Sequence, residues 1–278
     1  MADLTLVVPV FNESHRWRDV YWSDLLSLDW IHWIFVDDGS TDLTHEILLR
    51  LPAPTNYEIL RLASNQGKGE AVRAGILHFF ELLSSDKGKS FLESKEPCTL
   101  IGFIDADGSI TNSDITRMYQ IAKKKISINS EIPSYHIDAP TNAIWSSRVA
   151  LNGRLIERKN SRHYIGRIIN KLLSPHFHSI PYDPQCGFKI FEASDDFKKS
   201  ISTPFKTRWF FDLEIILKWQ KEIHSDFQIW EEPLESWKEV SGSHLSPLNI
   251  FSIFAEILKI IFESRTILRE SKRYGIGP

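Results

Sequence analysis

Short apolar runs alternate with amphipathic stretches along the first hundred residues. Leu4–Val10, Trp33–Val36, Glu58–Leu62 and Thr99–Ile104 are brief, rich in β-branched and aromatic residues, and bounded by turn formers. Such runs read as strands of a buried sheet. Between them, Trp17–Leu28, Thr41–Leu51 and Lys68–Leu83 carry apolar residues at helical spacing. The β-α-β-α order predicts an α/β fold, a mostly parallel central sheet flanked by helices. The second half is less regular. Asn142–Ser147 predicts a strand, Ser161–Leu173 a basic helix, Asp183–Phe191 a turn and a strand, and Phe211–Lys221 a helix. Ser84–Pro97 and Lys123–Pro140 are polar and read as loops.

From Leu248 to Leu268 the apolar positions Ile250, Phe251, Phe254, Ile257, Leu258, Ile261 and Phe262 form one stripe, with Glu256, Lys259, Glu263 and Arg265 between them. This predicts a C-terminal amphipathic helix, which either packs on the domain or lies at a membrane surface. No repeats and no Gly/Ser- or Pro-rich linker break the chain. The expected organisation is one domain over 1–245 and a C-terminal helical element over 246–278. No apolar stretch reaches the ~18 residues that a spanning helix requires. The first apolar run is too short for a secretory leader and has no basic lead.

Composition narrows the reading further. The 278 residues carry 33 Lys plus Arg against 36 Asp plus Glu, a net charge of −3, so no nucleic-acid partner is expected. Two cysteines cannot build a disulfide scaffold, which makes a reducing, cytoplasmic compartment the expectation. Nine Trp and 17 Phe are a high aromatic content. Some lie at Trp209-Phe210-Phe211 and Trp237.

Polar clusters sit where the strands end. Asn12-Glu13 follows the first strand, Asp37-Asp38-Gly39-Ser40 the second, and Asp105-Ala106-Asp107-Gly108 the fourth. In parallel sheets ligands bind at the carboxyl ends of strands, so three strands bring polar groups to one edge. Asp105 and Asp107, two apart on a tight loop, can converge on one Mg²⁺ or Mn²⁺ and share it with substrate phosphates. Asp37 can accept from a base or ribose, while Ser40 or Thr41 can instead cap the next helix. Asn65-Gln66-Gly67-Lys68-Gly69 opens a helix with glycines and a cation, which suits a phosphate. It has neither Walker spacing nor the position of a dinucleotide fingerprint. Cys186 reads as a buried residue and not a nucleophile.

Val8-Pro9-Val10-Phe11-Asn12-Glu13, Val36-Asp37-Asp38-Gly39-Ser40 and Asp105-Ala106-Asp107-Gly108, in this order, resemble glycosyltransferase family 2, the inverting GT-A enzymes. Asn65–Arg73, Ser147-Arg148, Asp183-Pro184-Gln185-Cys186-Gly187-Phe188-Lys189, Arg208-Trp209-Phe210-Phe211-Asp212-x-Glu214 and Trp237-x-Glu239-x-x-Gly242-Ser243 narrow the resemblance. They point to its polyprenyl-phosphate branch, which includes the dolichyl-phosphate β-glucosyltransferases. The chain departs from the branch at Ser109, where related mannosyltransferases have Gln, and at His244, where Lys is usual.

The resemblance implies transfer of a hexose from a nucleotide sugar, foremost glucose from UDP-glucose, to a polyprenyl or dolichyl phosphate, with a divalent metal on the diphosphate. It implies metal ligands Asp105 and Asp107, and nucleotide contacts from Pro9, Asn12, Glu13, Asp37, Asp38, Lys68 and Asp105. It further implies an acceptor-phosphate site of Arg148, Arg162, Ser243 and His244. A catalytic group of Asp107, Asp183, Gln185, Asp212 and Glu214 completes the set. The basic segment Arg154–Arg167 reads either as a solvated face or as a landing site for phosphate or anionic lipid. Asp212 and Glu214 read either as site residues or as salt-bridge partners of Arg208. Two other readings stand: a family 2 transferase acting on a saccharide hydroxyl, with Asp212 or Asp183 as base, and an inactive nucleotide-sugar-binding homologue. The expected location is cytoplasmic, peripheral on the membrane face.

Overall fold

The computed structural model describes residues 3–52, 56–85, 100–126, 141–157, 160–177, 180–240 and 250–273, and within helices it leaves out the side chains of 160–165, 250–252 and 268–273. Predicted loops over 86–97 and 127–140 fall outside this set.

The first half runs β1 (Leu4–Val10), α1 (Asp19–Leu26), β2 (Ile31–Asp37), α2 (Thr44–Leu49), β3 (Tyr57–Arg61), α3 (Lys68–Ser84), β4 (Leu100–Ile104) and α4 (Asn112–Ile126). Then follow β5 (Ala143–Ser147), β6 (Leu155–Glu157), α5 (Asn160–Leu173), a 3-10 turn at Ser174–His176 and β7 (Phe188–Glu192). The chain continues with α6 (Asp195–Ser200), α7 (Phe211–Ile223), β8 (Ile229–Pro233), β9 (Ser236–Lys238) and α8 (Ile250–Arg273). Lys123–Ile126, expected in a loop, instead ends α4. Ile115, Met118, Tyr119, Ala122 and Ile126 form a buried stripe at helical spacing, and burial of that stripe carries the helix through its three lysines.

Seven strands form one sheet in the order β3-β2-β1-β4-β7-β5-β8, and β6 pairs β9 separately. Helices cover both faces. Val7, Ile34 and Val36 face Phe79, Phe211 and Ile260 of α3, α7 and α8. Leu6, Val8, Trp33 and Phe35 face Trp22 of α1 and Met118 of α4. This two-sided burial explains why β1 and β2 read as near-continuous apolar runs.

One topological detail builds the site. β7 is antiparallel to both neighbours, pairing Phe188 with Ile104 and Lys189 with Trp145. The loop entering β7 therefore lies beside the loops leaving β4 and β5. Residues 183–187 reach the same sheet edge as Asp105, Asp107 and Arg148 although 35 or more positions separate them in the chain.

α8 packs through Ile257 and Ile260 into the core shared with α7. Phe254, Leu258 and Phe262 on its other side are 59%, 50% and 75% exposed. Among the described residues no helix is long and apolar enough to cross a membrane.

Candidate active site

A cleft of about 550 Å³ opens at the carboxyl edge of the sheet. Pro9 enters it from the end of β1, Phe11 and Glu13 from the loop after β1, and Asp38 from the loop after β2. Lys68 enters from the start of α3, and Asp105 and Asp107 from the β4 loop. Arg148, Gln185, Arg208, Trp209, Asp212 and Trp237 complete its lining.

Asp105 is gripped from behind. Its N–H donates to the Gly187 carbonyl at 2.9 Å. A Cβ on Gly187 would stand 2.2 Å from Asp105 Oδ2, so a side chain there would push the carboxylate from its place. Lys68 Nζ lies 2.5 Å from Asp105 Oδ1 as an ion pair. Asp107 Oδ1 accepts the Ser109 N–H at 2.9 Å. Burial, followed by the neighbouring Asp105 charge, holds the Asp107 carboxyl above its ordinary pKa. Two crowded carboxylates in one cleft, one of them short of positive partners, suit a divalent cation. Among the described residues no three His, Cys, Asp or Glu gather as ligands. The donor set fits a Mg²⁺ or Mn²⁺ that completes its shell with water and substrate phosphate, not a cation caged by protein alone.

The adjacent acids after β2 divide their work. Asp38 lines the cleft and fixes the loop before α3, accepting from Gln66 N–H at 2.7 Å and Gly67 N–H at 2.8 Å. Gly67, with φ of +99°, supplies a backbone conformation that other residues adopt only with strain. Asp37, the expected base or ribose contact, is fully buried outside the cleft lining. Its Oδ1 accepts Ser40 N–H at 2.8 Å, and His45 Nδ1 lies 3.1 Å from Oδ2. Asn12 also turns away: its Oδ1 accepts the Thr41 N–H at 2.9 Å, tying the β1 loop to the β2 loop. Neither Ser40 nor Thr41 caps α2. Asp42 Oδ1 takes the Thr44 N–H at 3.0 Å instead, while Ser40 Oγ accepts from Asn12 N–H at 3.1 Å.

Arg148 and Asp183, expected in separate roles, form one unit. Arg148 donates from Nε to Asp183 Oδ2 and from Nη2 to Oδ1, each at 2.6 Å. Tyr182 N–H and Asp183 N–H donate to Glu231 at 2.7 and 2.8 Å, which anchors the turn bearing the acid. Arg148 reaches the cleft and Asp183 stands behind it. Gln185 lines the cleft near the Trp209 carbonyl, 3.5 Å from its Nε2.

Asp212 lines the cleft, while Glu214, expected beside it, does not. Glu214 is fully buried and accepts from Lys206 N–H, Thr207 N–H and the Thr207 hydroxyl at 2.8 to 3.0 Å. Two positions along a helix turn a side chain by about 200°, so both acids could not share the cleft. Neither pairs with Arg208, whose Nη2 donates to Asn65 Oδ1 at 3.0 Å. The partner of Asp212 is Lys189, buried between the rings of Trp145 and Phe103 with Nζ 2.6 Å from Asp212 Oδ1. Burial raises the Asp212 pKa, against the pull of Lys189 and then Lys68. Arg162, Ser243 and His244 lie outside the described side chains.

Sequence reasoning gave no site role to Arg16, Arg208 or Glu239, which also line the cleft. It likewise missed the role of Lys189. A lysine two residues into an apolar strand was the available signal, because a buried lysine requires an acid.

Residues 5–181 match the model of the family described as glycosyl transferase family 2. A dolichyl-phosphate beta-glucosyltransferase of Saccharomyces cerevisiae is 30% identical over 264 residues, 87% of this chain and 69% of that protein. One from Dictyostelium discoideum is 28% identical over 262 residues, 88% of this chain and 69% of that protein. Among solved structures, Staphylococcus aureus TarS 1–349 in complex with UDP superposes with a TM-score of 0.54 at 15% identity, covering 95% of this chain and 65% of that one. At that identity the likeness establishes the fold alone. The sheet, the flanking helices and the cleft at the strand ends are the GT-A architecture, and the chain belongs to glycosyltransferase family 2.

Proposed function

We propose that the cleft transfers a hexose, foremost glucose from UDP-glucose, onto the phosphate of a polyprenyl or dolichyl carrier, with inversion at the anomeric carbon. The observation that carries the reading is the meeting of Asp105, Asp107 and Lys68 with Arg148 in one cleft. Asp105, Asp107 and Lys68 offer groups for a diphosphate and a cation, and Arg148 adds a guanidinium fixed by Asp183. The names of the relatives supply the sugar and the carrier.

A phosphate monoester has a second pKa of ~6 and is already anionic at neutral pH. One of its oxygens attacks the anomeric carbon as the bond from that carbon to the diphosphate breaks. The leaving nucleotide keeps the electron pair, and no proton need be abstracted. The chain's task is positioning and charge neutralisation. Asp38 holds the loop carrying Gly67 and Lys68, and Lys68 places a cation beside Asp105. Asp107 with Asp105 would hold a divalent cation, which when bound would supply charge neutralisation on the diphosphate. Arg148, locked by Asp183, receives the acceptor phosphate. Pro9 and Glu13 border the nucleotide, and Gln185, Asp212 and Trp209 the sugar. The exposed stripe of α8 and the exposed Ile168 and Leu172 of α5 suit a peripheral seat on the cytoplasmic membrane face, next to the lipid substrate. In this reading 246–278 is the membrane-facing element and 1–245 the catalytic domain.

A thermal-shift screen of nucleotide sugars with and without Mn²⁺ tests donor and metal, because ligands of the folded state raise the midpoint. UDP-glucose should raise it most, in a Mn²⁺-dependent way that Asp107→Ala removes. A larger shift from a guanosine donor would overturn the donor assignment. Equal shifts without metal, or from Asp107→Ala, would overturn the metal. A pH–rate profile with an essential base near Asp212 would favour a hydroxyl acceptor, and binding without turnover an inactive homologue.

A further inference from the structure

The wall of the cleft that bears Arg208 and Trp209 is an irregular strap without a strand partner, and three helices hold it by carboxylates. Phe205 N–H donates to Glu70 of α3 at 2.5 Å, and Lys206 and Thr207 N–H to Glu214 of α7 at 2.8 and 3.0 Å. Arg208 N–H donates to Glu256 Oε1 at 3.0 Å, and Trp209 N–H to Oε2 at 2.9 Å. Five consecutive amides, which would otherwise be unmatched, thus end on acids. Glu256 lies on α8, 47 residues beyond Trp209, and is 7% exposed. The charged residues of an amphipathic helix usually point to water; this one points into the protein, at the site.

The two residues it holds touch different parts of the cleft lining. Arg208 lies across Gly67, so that a Cβ there would stand 3.1 Å from its side chain, and it reaches Asn65 Oδ1 at 3.0 Å. It thereby flanks the loop that Asp38 fixes. The Trp209 carbonyl faces Gln185, and its ring lines the cleft. Phe210 follows at once as the N-cap of α7, the helix that carries Asp212.

We propose that Glu256 is a positioning residue for glycosyl transfer. Its two carboxylate oxygens, each on one amide, set where Arg208 and Trp209 stand, and so make the C-terminal helix a working part of the site. The inference rests on transfer taking place at this cleft. Glutamine keeps the length of the side chain but turns one acceptor into an NH₂ that faces an N–H, so one of the two amides loses its partner. Alanine frees both.

The test is steady-state kinetics of the full chain with UDP-glucose, Mn²⁺ and dolichyl phosphate in detergent. Glu256→Gln, Glu256→Ala and wild type are compared at a temperature where circular dichroism finds all of them folded. The KM for UDP-glucose should rise about tenfold in Glu256→Ala, the scale of one lost charge-assisted hydrogen bond, and less in Glu256→Gln, with kcat changing less than KM. Arg265→Gln on the same helix serves as the control. Arg265 is exposed and lines no part of the cleft, so KM should stay at the wild-type value. A wild-type KM in both Glu256 variants, with activity falling only as folded protein is lost, would overturn the positioning role. Should Glu256→Ala fail to fold, Glu256→Gln decides alone. A wild type with no turnover would instead sink the transfer reading itself, and the inference with it.

Discussion

Lys189 and Asp212 form an ion pair sealed from solvent on the lysine side: Nζ lies 2.6 Å from Oδ1, and the lysine side chain has no exposed surface. The Cys186 carbonyl takes a second ammonium proton at 2.9 Å, and the ammonium lies over the Phe103 and Trp145 rings, 5.1 and 4.6 Å from their centres. Removing one member of such a pair leaves an uncompensated buried charge, which costs ~3–5 kcal/mol. Lys189→Met should therefore lower stability by about that amount in chemical denaturation. Lys221→Met, on an exposed stretch of α7, should change it by less than about 0.5 kcal/mol.

Asp183 acts through Arg148. In Asp183→Asn one acceptor of the bidentate pair becomes a donor that faces the guanidinium. Acceptor-phosphate use should fall ~100-fold in kcat/KM, the scale of a misplacement of about 1 Å at a reacting group. Nucleotide binding by calorimetry should be unchanged. Equal losses in both would place Arg148 at the donor.

The strand plan and the cluster of polar groups at strand ends were legible because two-sided burial leaves continuous apolar runs, and the turns after them must be polar. Side-chain direction was not. Asp37 and Asp38 are neighbours, yet one is locked behind the sheet edge and the other faces the cleft, because successive extended residues point to opposite sides. Asp212 and Glu214 divide in the same way on a helix. Asn12 and Asp183 belong to recognisable motifs but hold loops or other side chains, and motif membership alone does not separate contact from support. Neither does sequence order reveal that β7 runs antiparallel, which is what carries Gln185 and Gly187 to Asp105.

His32 gives the fold an acid-sensitive point. Burial, opposed by Glu58 and aided by His78, lowers its pKa from 6.5 to about 4. The unfolded chain therefore binds one more proton than the folded one between about pH 4 and pH 6.5. Stability contributed by the neutral ring is present above this window and is lost as pH falls through it, by at most ~1.4 kcal/mol per pH unit. His32→Phe should flatten that part of the curve of melting midpoint against pH. An unchanged acid slope would assign the effect to other groups.

Cys186 should be inert in the folded protein. It is fully buried, and burial pushes its thiol up to about 11. Because the thiolate is the reactive form, iodoacetamide at neutral pH should leave Cys186 unmodified by peptide mass spectrometry until denaturant is added. Rapid native labelling would mean that the loop entering β7 opens, and the grip of Gly187 on Asp105 with it.

Transfer to a lipid phosphate is tested most directly by incubating the purified protein with UDP-[14C]glucose, Mn²⁺ and dolichyl phosphate, followed by extraction into organic solvent. Label should enter the organic phase only when both lipid and metal are present, and mild acid should release it as glucose. Label found only in a water-soluble glycan, or none transferred at all, would contradict it.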